Sequence, residues 1–80
     1  MAIINRVEDS LELEYNTYNF SAAIYRFKEK INGVLIKKFE VVVIAHINDK
    51  LIERYFICSK FQESEKIYLC FIDLLEKLKG

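Results

Sequence analysis

Hydrophobic residues near the C-terminus repeat with the period of an α-helix. Between Gln62 and Lys79 they recur at spacings of four, three and four residues, at Ile67, Phe71, Leu74 and Leu78. This spacing places them on one face of a helix. Further apolar residues between them widen the apolar arc, so we expect neighbouring structure to cover the helix on more than one side. Ser59 or Ser64 is the expected N-cap, because a serine hydroxyl accepts a hydrogen bond from a free backbone N–H there.

The two segments before this helix predict a β-hairpin. Phe39–Ile47 is rich in β-branched residues and Leu51–Ser59 in apolar and aromatic ones, a composition typical of strands. The residues between them, Asn48–Asp49–Lys50, are typical of a turn. Pairing Ile47 with Leu51 across that turn leaves the first strand apolar on both faces, which indicates a central strand.

Residues 20–32 fit two structures. As a strand they form a hairpin across Asn32–Gly33, with Ile31 opposite Leu35 and oppositely charged residues facing each other. As a helix they carry an apolar stripe at the correct spacing, and Gly33 follows as its C-terminal residue. We favour the strand because its length matches that of the strand predicted over residues 35–47.

Apolar and acidic residues alternate over residues 11–15, which predicts an edge strand with a polar outer face. A short helix that includes Ile4, Val7 and Leu11 is the alternative. In either case we expect a single α+β domain over residues 1–80. It consists of a small antiparallel meander of three to four strands, with the amphipathic C-terminal helix on one face.

Composition narrows the class of protein. The chain has 80 residues, 52% of them hydrophobic and 30% charged, with no formal net charge. It is too apolar to be intrinsically disordered, and it lacks the basic excess of a dedicated nucleic-acid binder. The longest apolar run, residues 41–45, is far shorter than the ~20 residues of a membrane helix. No signal peptide pattern is visible, and we expect a cytoplasmic protein that does not bind membranes.

Residues with catalytic or ligand-binding chemistry are few. The chain has two cysteines, Cys58 and Cys70, and one histidine, His46. We expect both thiols to be buried and reduced. The expected cross-strand neighbour of His46 is Ile52, which offers no catalytic partner. Since the chain also lacks a glycine-rich phosphate loop, we predict that it is not an enzyme and has no catalytic residue, cofactor or metal.

Charge is distributed unevenly. Residues 1–20 carry one basic and four acidic residues, whereas residues 21–40 carry five basic and two acidic ones. The five form a candidate basic patch for nucleic acid: Arg26, Lys28, Lys30, Lys37 and Lys38. We favour a solvated hairpin tip instead, because charges there discourage pairing between sheet edges.

The excess of apolar residues points to an interface. If residues 20–32 form a strand, one helix covers one face of the sheet and leaves the other face apolar. A monomer rarely exposes such a face, so we expect a host or partner protein, or a second copy, to cover it. The candidate interface residues are Tyr15, Tyr18, Phe20, Ile24, Ile44, Ile52 and Phe56.

The stretch IKKFEVVVIAHINDKLIERYFICSKFQESEKIYLCFIDLL, residues 36–75, combines a hairpin, a short polar turn and an amphipathic helix. In this arrangement the chain resembles small single-domain proteins of phages and mobile elements, including anti-CRISPR proteins. The resemblance implies a compact, non-enzymatic inhibitor that binds a protein of a host defence complex and blocks it. The alternatives are a small nucleic-acid-associated protein that uses the basic hairpin, and a homodimeric structural domain.

Overall fold

The computed structural model describes residues 6–79 as four strands followed by one helix. The elements are β1 (Arg6–Thr17), β2 (Phe20–Ile31), β3 (Val34–Ile47), β4 (Lys50–Cys58) and α1 (Phe61–Lys79). The strands form one antiparallel sheet in the order β1-β2-β3-β4, and α1 packs across β3, β2 and β4. The predicted α+β meander with one C-terminal helix is confirmed.

Residues 20–31 form a strand, and the helical alternative is wrong. β2 lies between β1 and β3 and pairs with both along most of its length. Its buried residues occupy both faces, with Ile24 on one and Phe27 on the other. A helix would bury only one stripe of this segment. The N-terminal segment is also a strand from Arg6 onward, so the helix proposed there is wrong as well; Ile4 lies outside the described residues.

Two-residue turns fix the register of the sheet. Asn32 and Gly33 have φ values of 50° and 80°, and Asn48 and Asp49 have values of 51° and 63°. Positive φ at both central residues defines the type I′ turn, which suits the twist of a hairpin. Ile31 therefore pairs with Val34, and Ile47 pairs with Lys50. Both predicted registers are wrong by one residue, because they allowed three residues for each connection.

Strand β1 is irregular. One extra residue is inserted between Val7 and Ser10, and another between Leu11 and Leu13; both are β-bulges. Glu8 in the first bulge has a φ of 56°. The second bulge interrupts the predicted alternation, so that Leu13 packs against the core while Leu11 lies opposite Tyr25 on the other face.

The core lies between α1 and the sheet face that carries Ile24 and Val41, the helix face. Eight buried residues form it: Phe20, Ala22, Ile24, Phe39, Val41, Val43, Ala45 and Tyr68. Two aromatic pairs attach α1 to the sheet. The ring centroids of Phe61 and Phe39 are 5.6 Å apart, and those of Phe71 and Phe56 are 5.5 Å apart. Both separations are favourable for aromatic pairs, so the helix is held at its start and near its middle.

The stripe of α1 that faces the sheet differs in part from the predicted one, because Ile67 and Phe71 pack against the core as predicted but are not its most buried residues. Ser64 and Tyr68 are buried, whereas Leu74 is exposed. The Ser64 hydroxyl donates a 2.6 Å hydrogen bond to the Phe61 carbonyl, so Ser64 lies inside the first turn and is not the N-cap. The side chain of Leu78 lies outside the described part of the chain. The aromatic contacts between α1 and the sheet accompany this orientation.

The helix covers only one end of the sheet. Nineteen residues of helix span about 28 Å, whereas the 14 residues of β3 span about 46 Å. The extents of the molecule, 48 × 28 × 15 Å, reflect this long, thin sheet. The tip of the β2–β3 hairpin therefore projects beyond α1, with Val34, Leu35 and Ile36 exposed. Among residues 6–79, no helix is long and apolar enough to cross a membrane.

We predict that two turn substitutions differ in their effect on stability. An added Cβ at Gly33 meets no atom within 4 Å, so Gly33→Ala acts through its positive φ alone. It should lower the free energy of unfolding by about 1 kcal/mol. Asp49→Gly relieves the same strain in the other turn and should cause no loss. Urea unfolding measures both; equal losses would contradict the assignment of type I′ turns.

Candidate protein-binding face

The sheet face opposite α1 carries Phe27, Val42 and Tyr55, and we call it the open face. No other element in residues 6–79 covers it. An apolar area extends across it from β1 to β4, and we call this area the open patch. Its members are Leu11, Tyr25, Val42, Ile44, Leu51, Tyr55 and Ile57. Leu51, Tyr55 and Ile57 on the edge strand are the most exposed of these, at 61%, 55% and 54%.

The predicted interface residues do not lie together on this face. Those that lie on the helix face are Tyr15, Phe20, Ile24, Ile52 and Phe56. Ile44 lies on the open face, and Tyr18 is exposed in the turn between β1 and β2. The prediction that these residues share one uncovered face is wrong, because a shift of one residue between neighbouring strands moves side chains to the opposite face.

Most of the open patch was missing from the predicted interface. Tyr25, Tyr55 and Ile57 were not among its members, although they lie on adjacent strands around Glu40 and Val42. The signal that identifies them is the length of the turns. Asn–Gly and Asn–Asp both favour two-residue type I′ turns, and that length gives the observed register.

A polar bridge crosses β2 at one side of the open patch. The Arg6 guanidinium lies 3.9 Å from the centroid of the Phe27 ring. It donates to a Glu40 carboxylate oxygen at 2.7 Å and to an Asp9 carboxylate oxygen at 2.8 Å. Phe27 is only 2% exposed, although it lies on the open face. The bridge therefore removes one large aromatic ring from solvent and limits the patch on that side.

The neighbouring carboxylates stabilise the positive charge of Arg6. Burial by itself lowers the pKa of the guanidinium, but hydrogen bonds to Asp9 and Glu40 outweigh burial and raise the pKa overall. Beside the bridge, Lys38 on β3 pairs with Glu29 on β2 at 2.7 Å. These two ion pairs form a charged rim next to the apolar patch, an arrangement common at protein interfaces.

On the edge strand, one polar residue lies within the apolar patch. Glu53 is the residue between Leu51 and Tyr55 on the open face. The Tyr55 hydroxyl donates to a Glu53 carboxylate oxygen at 3.1 Å. This hydrogen bond, followed by the charge of Glu53, raises the pKa of Tyr55. Because the single hydroxyl proton of Tyr55 is engaged by Glu53, the tyrosine presents its ring and an acceptor oxygen to a partner.

The candidate basic patch is divided and partly neutralised. Arg26, Lys28, Lys30 and Lys37 lie on the helix side of the sheet, beyond the start of α1, whereas Lys38 lies on the open face. Glutamates from the two bulges of β1 pair with two of them. Glu12 lies 3.1 Å from Arg26, and Glu8 lies 3.0 Å from Lys28.

Two lysines of this patch face each other directly, since Lys28 is the cross-strand partner of Lys37. Lys30 and Lys37 form no ion pair within residues 6–79. The positive charge available to a polyanion is therefore smaller than the count of five residues indicates.

His46, Cys58 and Cys70 lie on three different elements, β3, β4 and α1. His46 is exposed and lies opposite Leu51, not Ile52 as predicted. Cys58 is buried at the end of β4, and burial, followed by the charge of Glu63, raises its thiol pKa. Cys70 is exposed on α1, so the expectation that both thiols are buried is wrong for it.

A groove of about 490 Å³ lies at the end of the sheet where α1 ends, lined by Thr17, Asn19, His46 and Glu76 among others. The Glu76 carboxylate accepts a hydrogen bond from the Tyr15 hydroxyl, so it is already engaged by the chain itself. Within the described residues, no group of three or more His, Cys, Asp or Glu side chains is arranged to hold a metal.

Comparison of the chain with models of protein families, with curated proteins and with solved structures gives no match. The candidate site is therefore defined by its own geometry.

We predict that the Arg6 bridge stabilises the fold. Arg6→Ala removes the contact with Phe27 and the hydrogen bonds to Asp9 and Glu40, and it should lower the free energy of unfolding by about 1–3 kcal/mol. Arg54→Ala is the control, because Arg54 is exposed and donates to the backbone of Glu53. It should change stability by less than about 0.5 kcal/mol. Equal losses in urea unfolding would mean that the bridge adds no stability.

Proposed function

We propose that this protein is a non-catalytic protein-binding module whose contact surface is the open patch. The observation that carries the proposal is an apolar sheet face that no element within residues 6–79 covers, opposite the face on which α1 packs. Contiguous apolar surface rimmed by charge is typical of interaction sites. The partner is a different protein with a complementary apolar surface.

The residue types in the open patch support this proposal. Tyr25 and Tyr55 combine a large apolar ring with a hydroxyl, and tyrosine is enriched at interfaces. The rim provides charges of both signs through Arg6, Glu40 and Lys38. Such a rim gives orientation and specificity, while the apolar centre supplies most of the affinity.

A narrower proposal follows from the resemblance to anti-defence proteins of phages. The bound protein would then belong to a host defence complex, and the module would act by blocking it. The resemblance alone supports this step, and the identity of the partner tests it.

A second candidate function is binding of nucleic acid by the basic patch. It is favoured by Lys30 and Lys37, which lie on the same side of the β2–β3 hairpin as Arg26 and Lys28. The pairing of Arg26 and Lys28 with glutamates of β1 weighs against it. Binding of this kind would weaken steeply as salt is added, because it depends on release of counterions from phosphate.

The test begins with affinity purification of the tagged chain from lysate of its own host cell, with and without nuclease. Each captured protein is then purified and titrated against the chain by calorimetry. Tyr55→Ala and Ile57→Ala should each weaken binding by about tenfold or more, as expected for central interface residues.

Leu69→Ala and Leu74→Ala on α1 are matched controls. These leucines are 54% and 52% exposed, against 55% and 54% for Tyr55 and Ile57, but they lie on the opposite side of the molecule. They should leave the dissociation constant unchanged. Losses confined to the helix variants would contradict the proposed surface. Nuclease-sensitive capture with a steep salt dependence, abolished by Lys37→Glu, would favour the second candidate.

A further inference from the structure

The two edges of the sheet differ in their ability to accept another strand. β1 is interrupted by two bulges, and Glu8 there has a left-handed backbone. Bulges and charges of this kind prevent pairing at a sheet edge. β4 pairs with β3 over nine successive residues without a shift of register. Its outer edge is therefore regular, and none of the described strands lies beyond it.

The turn at Asn48–Asp49 determines which backbone groups of β4 point outward. In a type I′ turn the carbonyl of Ile47 accepts a hydrogen bond from the N–H of Lys50. Hydrogen-bonded pairs alternate along an antiparallel ladder, so the even-numbered residues of β4 bond to β3. The outward N–H and C=O groups then belong to Leu51, Glu53, Tyr55 and Ile57.

We propose that β4 pairs with β4 of a second copy, antiparallel, about a two-fold axis at Arg54. The outward residues are symmetric about this position, so Leu51 lies opposite Ile57 of the second copy and Glu53 opposite Tyr55. Every outward N–H of one copy then meets an outward C=O of the other. The product is a continuous eight-stranded sheet, which goes beyond the binding function proposed above and does not depend on it.

Other registers are poorer. An axis at Glu53 places two glutamates directly opposite each other, which is unfavourable. An axis at Tyr55 leaves the backbone groups of Leu51 without a partner within the strand. The register at Arg54 instead pairs two aliphatic side chains and places each Tyr55 hydroxyl near a second glutamate.

The rest of the molecule leaves room for this contact. α1 packs mainly on β3 and β2 and less on β4, so the outer flank of β4 is accessible. One residue opposes the pairing. Arg54 of each copy faces the other on the helix side, and its guanidinium donates to the outward Glu53 carbonyl, which the second copy must also contact. Both guanidinium groups are exposed, and solvent screens their repulsion. The proposed dimer is therefore weakened by a contact that a single substitution can remove.

The experiment measures self-association of the purified chain by sedimentation equilibrium from micromolar to millimolar concentration. Wild type should show a monomer–dimer equilibrium. Tyr55→Pro removes an outward N–H but no bond to β3, and it should weaken association at least tenfold while the circular dichroism spectrum is retained. Arg54→Thr removes the like-charge contact and should strengthen association severalfold.

Disulfide crosslinking of variants with one cysteine introduced into β4, made in a Cys70→Ser background, determines the register between the two copies. At the axis, Arg54→Cys brings two thiols into a non-hydrogen-bonded pair with Cα atoms about 4.5 Å apart, within reach of a disulfide. Leu51→Cys is the control, because six residues of offset separate its two copies by about 20 Å. Oxidation should link the Arg54→Cys chains and leave the Leu51→Cys chains monomeric.

Three results would overturn the proposal. The first is wild-type protein that stays monomeric at every concentration, which would mean that β4 does not pair with a second copy and that its outer edge is available to a strand of another protein. The second is a dimer that Tyr55→Pro does not weaken, which would mean that copies meet through another surface. The third is preferential crosslinking of Glu53→Cys or Tyr55→Cys, which would move the axis. Neither a positive nor a negative result here bears on binding of a different protein by the open patch, which is measured separately.

Discussion

The backbone geometry of two short turns determines the rest of this structure. Asn32–Gly33 and Asn48–Asp49 each connect two strands with only two residues, all at positive φ. This connection fixes which residues of β2, β3 and β4 are opposite one another. Because side chains alternate between faces, the same registers decide which residues α1 can bury and which remain uncovered. Asparagine, aspartate and glycine are the residues that tolerate this backbone conformation best.

The two faces of the sheet are covered differently, by α1 on one side and in part by a charged side chain on the other. On the helix face, aromatic pairs between α1 and the sheet complete an apolar core. On the open face, Arg6 reaches over β2 to Glu40 and covers Phe27 with a charged group. The guanidinium is well suited to this, because it stacks on an aromatic ring while its edge donates to carboxylates. What remains uncovered is the open patch, which is most exposed along β4.

Much of this architecture could be predicted from the sequence, and the limits of prediction have identifiable causes. Alternation, β-branched residues and helical spacing identified the strands and α1, because these signals are local. The assignment of residues to faces failed, because it depended on counting the turn residues correctly. The bulges of β1 were also missed: neither Glu8 nor Glu12 belongs to a residue type that marks a bulge. The candidate interface combined both errors, so it joined Ile44 of the open face with Ile24 of the core.

The projection of the β2–β3 hairpin beyond α1 has a consequence for the dynamics of the molecule. Backbone hydrogen bonds around Leu35 and Ile36 are backed by no second layer in the described part of the chain, whereas those around Ile24 and Val41 lie over the core. Local opening costs least where few apolar contacts are lost. Amide hydrogen exchange should therefore slow progressively from the hairpin tip towards the core along the same two strands. A single pair of strands thus contains both a well-supported part of the sheet and a readily opened one.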